Sequence, residues 1–329
     1  MLPQDKVQRK RLIKAKTLTI SKFGTIPHER SINDLLNSGV IPLDKPSGPT
    51  SHQVAAWARN ILGVEKAGHG GTLDPKVTGL LPITLGTATN AVRTLIIGGK
   101  EYVGVMKLHA DVSKEKIEEI FKEFTGKIYQ MPPVRSAVKR ELRIREIYYL
   151  ELLEMENRIV LFKVGCEAGT YIRTLCHDIG DAMGIGAHML ELRRTKIASF
   201  SENEAVTLQD LKDAFVYWKE KGEEENLRKF VFPMERLLDH LPKIVVKDSA
   251  VDAICHGANL ALPGILQLDS DIKKGDIVAM ITDKGEGIAL GKAILPSNVI
   301  FIETEGIGVN TERVLMSPGT YPKLWHSSK

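Results

Sequence analysis

Apolar residues recur along the chain with two different periods, and the switches between them mark out its elements. Val54, Trp57, Ala58 and Ile61 stand three or four apart, which predicts a helix behind the turn IPLDKPSGPTS, with Ser51 as its cap. LLPITLG (80–86) is a continuous apolar run of the buried-strand type, and Thr87 opens a further helical stretch. In KEYVGVMKLHA (100–110) the period is two, so Tyr102, Gly104, Met106 and Leu108 share one side of a strand. FKVGCEAGTYIRTLCHDIGDAMG (162–184) passes from strand to helix. Its apolar face is Ile172, Leu175, Cys176, Ile179 and Met183, Gly184 ends it, and Arg173 and Thr174 fall off the core side. Strands alternating with helices predict an α+β unit, a mixed sheet with helices packed on it.

The rhythm shortens after about residue 220. Beyond the charged KGEEEN and from Lys243 onward, one short helix (249–255) precedes GANLALPGI and the strands DIVAMITD, GIALGKAIL and NVIFIET, which predict a small β-barrel. The expected division is a basic extension over 1–30, a first domain over 31–240, the barrel over 241–318 and a tail over 319–329.

Charge adds a ligand class. The net charge is only +4, but Lys6, Arg9, Lys10, Arg11, Lys14 and Lys16 crowd one end and VKRELRIRE (138–146) forms a second basic cluster. Such unevenness suits a polyanion, although a solvated face or a disordered tail would also carry the first run. No apolar run is long enough to span a membrane and the basic start lacks a signal-peptide core, so a soluble, cytoplasmic protein is expected. The three cysteines have no CxxC spacing and are expected to be packing residues.

Candidate chemistry concentrates in GHGGTLDPKVTG (68–79). Glycines let another molecule approach closely, and Pro75 turns Asp74 away from helical angles, so the acid stands on a loop. On local sequence alone Asp74 could instead bond its own backbone in a turn.

The wider pattern carries a family resemblance. GHGGTLDPKVTGLLPITLG, preceded by LDKPSGPTS and followed by KEYV, CEAGTYIRTLCHDIG and AHMLELRRTKIASF, resembles the pseudouridine synthases of the tRNA T-loop class. QMPPVRSAVKR and HGANLALPGI are similar to the archaeal and eukaryotic dyskerin branch, the catalytic subunit of H/ACA ribonucleoproteins. A long lysine-rich tail of the eukaryotic kind is missing, so an archaeal protein is expected.

The resemblance implies that Asp74 is the catalytic aspartate, that Arg173 pairs with it, and that Tyr102 stacks under the target base and assists proton removal at C5. Three routes stay open for Asp74: attack on the sugar, attack on the base, or proton abstraction at C2′. Tyr171 and Leu192 are implied to line the pocket, His69 to lie against the flipped-out nucleotide, and Lys45 with Pro46 to shape the active-site loop. Plain packing roles remain open for Tyr171, Leu192 and His69. Arg135, Lys139 and Arg140 fall in a segment that resembles the loop closing over substrate RNA, where their charges would meet phosphates. The barrel resembles a PUA domain, which implies RNA contact by His256, Gly257 and Gly264, although Gly257 would equally end a helix.

Rearranging a nucleotide without loss of atoms implies no cofactor and no metal, and His52, His109, His177 and His188 show no ligand spacing with His69. The implied partners are an H/ACA guide RNA, substrate tRNA or rRNA and the small H/ACA protein subunits, with no membrane. The implied activity is isomerisation of uridine to pseudouridine, guided on rRNA and also unguided on the T-loop uridine of tRNA. A non-catalytic RNA scaffold of the same particle is the competing reading, and the intact set Asp74, Tyr102 and Arg173 argues against it. The chain runs from QMPPVRSAVKR almost directly into IYYLELLEM, with no room for a large substrate-gripping insertion, so activity without a guide is expected to be weak.

Overall fold

The computed structural model of the protein describes residues 1–6, 8–16, 22–132, 139 and 141–323. In chain order the strands are β1 (Arg11–Ile13), β2 (Gly39–Lys45), β3 (Ala67–His69), β4 (Thr78–Leu85), β5 (Lys100–Leu108), β6 (Gly126–Gln130), β7 (Arg143–Glu156), β8 (Ile159–Cys166) and β9 (Ala187–Ile197). They continue as β10 (Phe200–Ser201), β11 (Phe232–Pro233), β12 (Lys243–Val246), β13 (Leu260–Ala261), β14 (Ile265–Asp269), β15 (Ile277–Ile281), β16 (Gly287–Ala293) and β17 (Ile307–Val314). A ten-stranded sheet runs β11-β2-β4-β9-β5-β8-β7-β6, with β10 on β9 and β3 on β4. A seven-stranded sheet runs β1-β14-β12-β15-β16-β17-β13. Each sheet is mixed, with β4 parallel to β9 in the first and β12 parallel to β15 in the second. The fold is the expected α+β class.

The main core packs the helices Ser51–Leu62, Lys114–Glu123, Ile172–Ala182 and Leu208–Lys221 on the ten-stranded sheet. A second cluster, including Leu237, Leu238, Val245 and Leu266, joins the two sheets. The three cysteines are buried, and burial pushes the Cys166 and Cys176 thiols up to about 12.

Three local expectations are corrected. The Ser51–Leu62 helix is capped by Thr50, in a reciprocal box with Gln53, and Ser51 is its buried first residue. On that helix Val54 and Ala58 are buried while Trp57 stays 44% exposed, because its phase lies off the sheet-facing stripe. The stretch from Thr87 is a 3-10 turn over Gly86–Ala91 and a one-turn helix, Arg93–Ile97. NVIFIET contains the helix Ser297–Ile302, started by Pro296, rather than a strand. Its apolar run fits either period, and packing chose the helix: Ile300 is buried and Ile302 is 74% exposed.

The basic extension contacts both halves of the molecule. Leu2 is buried, and Gln4 donates to the carbonyls of Gly99 and Ala198 at 3.4 and 3.2 Å, whereas β1 adds to β14 of the second sheet. Its charges meet the protein's own acceptors. Arg9 pairs with Asp271 at 3.2 Å and donates to the His240 carbonyl at 3.0 Å, and Arg11 pairs with the buried Asp269 at 3.2 Å. Lys14 caps the Ser297–Ile302 helix through the carbonyls of Ile300, Phe301 and Glu303. These three residues are thus neither a solvated face nor a disordered tail, the other readings of this run.

Candidate active site

Asp74 sits between β3 and β4 on a loop held from both sides. Ser51 Oγ accepts from the Leu73 amide at 2.9 Å and donates to the Leu73 carbonyl at 3.0 Å, so the first turn of the Ser51–Leu62 helix grips the residue before the acid. At the end of β2, buried Lys45 donates to the carbonyls of Pro46, Pro75 and Val77, each at 2.9 Å. Burial pushes this ammonium down and the Asp74 charge opposes that push. Lys45 thus ties the LDKP turn to the far side of the loop and keeps its ammonium away from solvent.

With its backbone fixed, Asp74 presents a side chain that is 56% exposed, and Arg173, 57% exposed, ion-pairs with it. Arg173 is the second residue of the Ile172–Ala182 helix, whose buried stripe is Ile172, Leu175, Cys176 and Ile179. Its phase turns it out of the core and over the loop. Tyr102 lies beneath, projecting from β5 opposite Arg194 of β9. Burial pushes its phenol up, a hydrogen bond from the Arg194 guanidinium acts the other way, and the Asp74 charge adds to the push. Tyr102 is held as the neutral phenol. Leu192, two residues before Arg194 and opposite Gly104, packs on the main core at the same face.

His69 ends β3 with its Nδ1 buried and without a hydrogen-bond partner among the described residues. Burial lowers its pKa, helped by His52 and Arg194, so the ring is neutral. His52 meets it edge to face with centroids 4.7 Å apart. His109 and His188 also meet, Nε2 to Nδ1 at 2.8 Å, yet among the described residues no group of three potential metal ligands gathers.

Two residues that hold the site were missing from the sequence reading. Arg194 is 1% exposed and donates from Nε to the Leu80 carbonyl at 2.8 Å and from Nη2 to the Gly71 carbonyl at 3.1 Å, bracing the glycine-rich loop from below. The signal was available: in a strand, Arg194 shares a face with Leu192. Gln130, buried at the end of β6, accepts from the Tyr171 amide at 2.9 Å and donates to the Tyr171 carbonyl at 3.1 Å, fixing the residue before the Arg173 helix. No local pattern in GKIYQ marks it.

Arg135 and Arg140 lie outside the described residues. Lys139 is exposed and pairs with Glu141. In the second sheet, His256 follows the Asp248–Cys255 helix and is half exposed, with Nδ1 within 2.8 Å of the Asp252 carbonyl. Gly257 takes φ 89° beside open space, whereas a Cβ on Gly264 would meet the side chains of Ala250 and Leu260 at 3.1 Å, so the protein's own packing is close around that glycine. Among the described residues no helix is long and apolar enough to cross a membrane.

Comparison with known proteins identifies the family. Residues 59–172 match the model of the TruB family pseudouridylate synthase N-terminal domain, and 173–239 match the tRNA pseudouridylate synthase B C-terminal domain. Residues 242–315 match the PUA domain and 2–55 the DKCLD domain. A probable tRNA pseudouridine synthase B of Methanopyrus kandleri is 57% identical, over 98% of this chain and 96% of its own. A chain in a crystal structure of a Cbf5-Nop10-Gar1 complex is 54% identical with a TM-score of 0.94, over 98% of both chains. Another, in an H/ACA RNP bound to a substrate RNA containing 2′-deoxyuridine, is 51% identical with a TM-score of 0.92, over 99% of this chain and 100% of its own. With such identity along almost its whole length, the chain belongs to the TruB family of pseudouridylate synthases.

Proposed function

We propose that Asp74, Arg173 and Tyr102 are the catalytic centre at which this pseudouridine synthase isomerises uridine in RNA. One observation carries the reading: a solvent-facing carboxylate, paired by a guanidinium, stands over a buried tyrosine on a loop whose backbone is pinned on both sides. In the reaction the C1′–N1 bond breaks, the base rotates, C1′ joins C5, and the C5 proton leaves while N1 gains one. Every atom but exchanged protons is kept.

Asp74 reaches the sugar or the base from the loop, and the Arg173 fork holds its oxygens in one orientation. The Tyr102 ring supports the base from below. It takes the C5 proton only as the phenolate, after giving its own proton to solvent, and Arg194 is the group placed to stabilise that oxyanion. Tyr171 and Leu192 wall the pocket, and His69 fills the space vacated by the flipped nucleotide. The test is Asp74→Asn, which keeps size and removes charge. It should bind RNA with wild-type affinity and release no tritium from RNA labelled at uridine C5; turnover above about one thousandth of wild type removes Asp74 from the mechanism.

The second element of the reading is assembly. The similar chains in H/ACA structures, one of them bound to a substrate RNA, support work as the catalytic subunit of a guide ribonucleoprotein; the substrates of this reading are rRNA and the T-loop uridine of tRNA, and its compartment is the archaeal cytoplasm. Residues 31–240 would carry the chemistry and 241–318 would hold guide RNA through His256 and Gly257. Lys139, with Arg135 and Arg140, would meet substrate phosphates. Purified protein assayed on tRNA and on a guide-matched RNA should be slow alone and gain strongly when guide RNA and the small subunits are added. Equal rates without them would leave a self-sufficient tRNA enzyme.

A further inference from the structure

A groove of about 370 Å³ opens beside the catalytic loop, between the Ser51–Leu62 helix and β3. Its floor is made of small residues, Ala55, Ala56, Ala67 and Gly68. At the end nearest Asp74 stand the imidazoles of His52 and His69, in edge-to-face contact, and at the other end stands Arg59. The groove is continuous with the catalytic loop, because Ser51, next to His52, is the residue that bonds Leu73 in both directions. Arg59 follows His52 by seven positions of helix, about 10 Å along the axis.

Arg59 is exposed, and among the described residues its guanidinium hydrogen-bonds to the adjacent Asn60 side chain alone, at 3.2 and 3.4 Å. It contrasts with Arg193 and Arg194 of β9, which are committed to carboxylates and carbonyls. His69 supplies a second, independent feature: a half-buried ring with one nitrogen unpartnered among the described residues. A flat floor without long side chains, two aromatic rings at one end and an uncommitted guanidinium at the other match one nucleotide, base toward the rings and phosphate toward the cation. The volume falls at the small end of ligand pockets, about 300–1,000 Å³, which suits a single nucleotide rather than a strand.

We propose that this groove is the subsite for the nucleotide adjoining the target uridine, with its phosphate on Arg59 and its base on the Ala55–Ala56–Gly68 floor against His52. The proposal rests on Asp74 marking the catalytic centre. Occupation of the groove holds the strand at a second point while the uridine is out of its stack, so its contribution is binding energy common to ground and transition states.

The experiment is steady-state tritium release by the full chain, with the guide and subunits that support turnover, across a range of salt. Arg59→Ala should raise KM about tenfold with kcat within about twofold of wild type. It should also lower the slope of log KM against log salt by about 0.7, the loss of one single-strand phosphate contact. Arg59→Lys should keep the slope. Ala56→Trp, which fills the groove and leaves Arg59 in place, should raise KM similarly, and an abasic neighbour in the substrate should weaken wild type but not this variant further. Unchanged KM and slope in Arg59→Ala overturn the proposal, and so does a loss of kcat at constant KM. Asp74→Asn separates the two readings: if it stays active while Arg59→Ala still raises KM, the assignment of the centre fails and the groove is left as an RNA-binding site no longer placed beside the target uridine.

Discussion

The cations on the floor of the catalytic cleft and those on its rim are bonded to different kinds of partner. On the floor, Lys45 donates to three carbonyls, Lys100 donates to the carbonyls of Leu95, Ile96 and Gly98 at 3.1, 2.7 and 2.7 Å, and Arg194 takes two more. All three are buried. On the rim, Arg173 and Arg59 are exposed and touch a carboxylate and a side-chain amide. A buried cation whose protons reach backbone oxygens works as a pin for the chain that carries those oxygens, and here the chain is the Asp74 loop and its neighbours. A rim cation keeps its charge available to an anion. Residue type alone does not separate these roles; depth and acceptor do.

The division is tested first where its effect is largest. Arg173→Met should lower kcat about 10³-fold, since it strips the partner from a group touching the reacting atoms, and should leave stability within about 0.5 kcal/mol, as exposed ion pairs contribute little. Arg173→Lys should recover only part of the rate, because a point charge does not reproduce the planar fork. Arg194→Met should lose stability as well as rate, about 3–5 kcal/mol in denaturant unfolding as the Leu80 and Gly71 carbonyls are left buried without their donor, with a fall in kcat as the Tyr102 oxyanion loses its stabiliser. If Arg194→Met unfolds like wild type and loses only rate, Arg194 belongs with the rim.

A third test asks why a buried charge is tolerated at all. His240 donates from Nε2 to the Thr94 carbonyl at 3.1 Å, but its Nδ1 is buried with no partner among the described residues. Burial lowers its pKa to about 4, and Arg9 and Lys100 add to the shift. The folded protein therefore holds the neutral ring where the unfolded chain, with an ordinary value near 6.5, takes a proton. Stability from this depressed value is fully present above pH ~6.5 and is lost as pH falls through about 4, with a limit of about 3 kcal/mol. The measurement is the difference in unfolding free energy between wild type and His240→Gln from neutral pH to pH ~4, since the shared carboxylates cancel. A flat difference would mean that protonated His240 finds acceptors, as Lys100 does.

Much of this was legible in residue order. The strand–helix passage at 162–184 and the alternation in KEYVGVMKLHA placed Arg173 off the core and Tyr102 on a buried face, because apolar period reports local phase directly. The fates of the basic residues were not legible. Arg9, Arg11 and Lys14 read as a free patch, but their acceptors, Asp271, Asp269 and the end of the Ser297–Ile302 helix, lie more than 250 positions away in sequence. Lys45 and Ser51 were legible as motif members, while the carbonyls and the Leu73 amide they hold depend on loop closure. The NVIFIET helix was misread because β-branched residues fit both periods and only packing decides.

The smallest predicted effect concerns a pin that carries no charge. Arg173 on the rim needs its helix held as firmly as the Asp74 loop, and the buried group that holds it is Gln130, which accepts from the Tyr171 amide and donates to its carbonyl. Because an amide is neutral, it does this without the desolvation cost that buries Lys45 and Arg194 only among full sets of acceptors. Gln130 also ends β6, immediately before the Met131–Pro132 step that leads toward the segment expected to close over RNA. Gln130→Leu should lower kcat about tenfold with KM little changed, through a Tyr171–Arg173 turn that no longer holds one orientation. Gln130→Glu keeps the acceptor for the Tyr171 amide and loses the donor to its carbonyl, so it should fall between the two. Arg173→Met made in the Gln130→Leu background should cost no more than Arg173→Met alone, since Gln130 acts through Arg173. Full additivity of the two losses would place the effect of Gln130 elsewhere, in the pocket wall formed by Tyr171 itself.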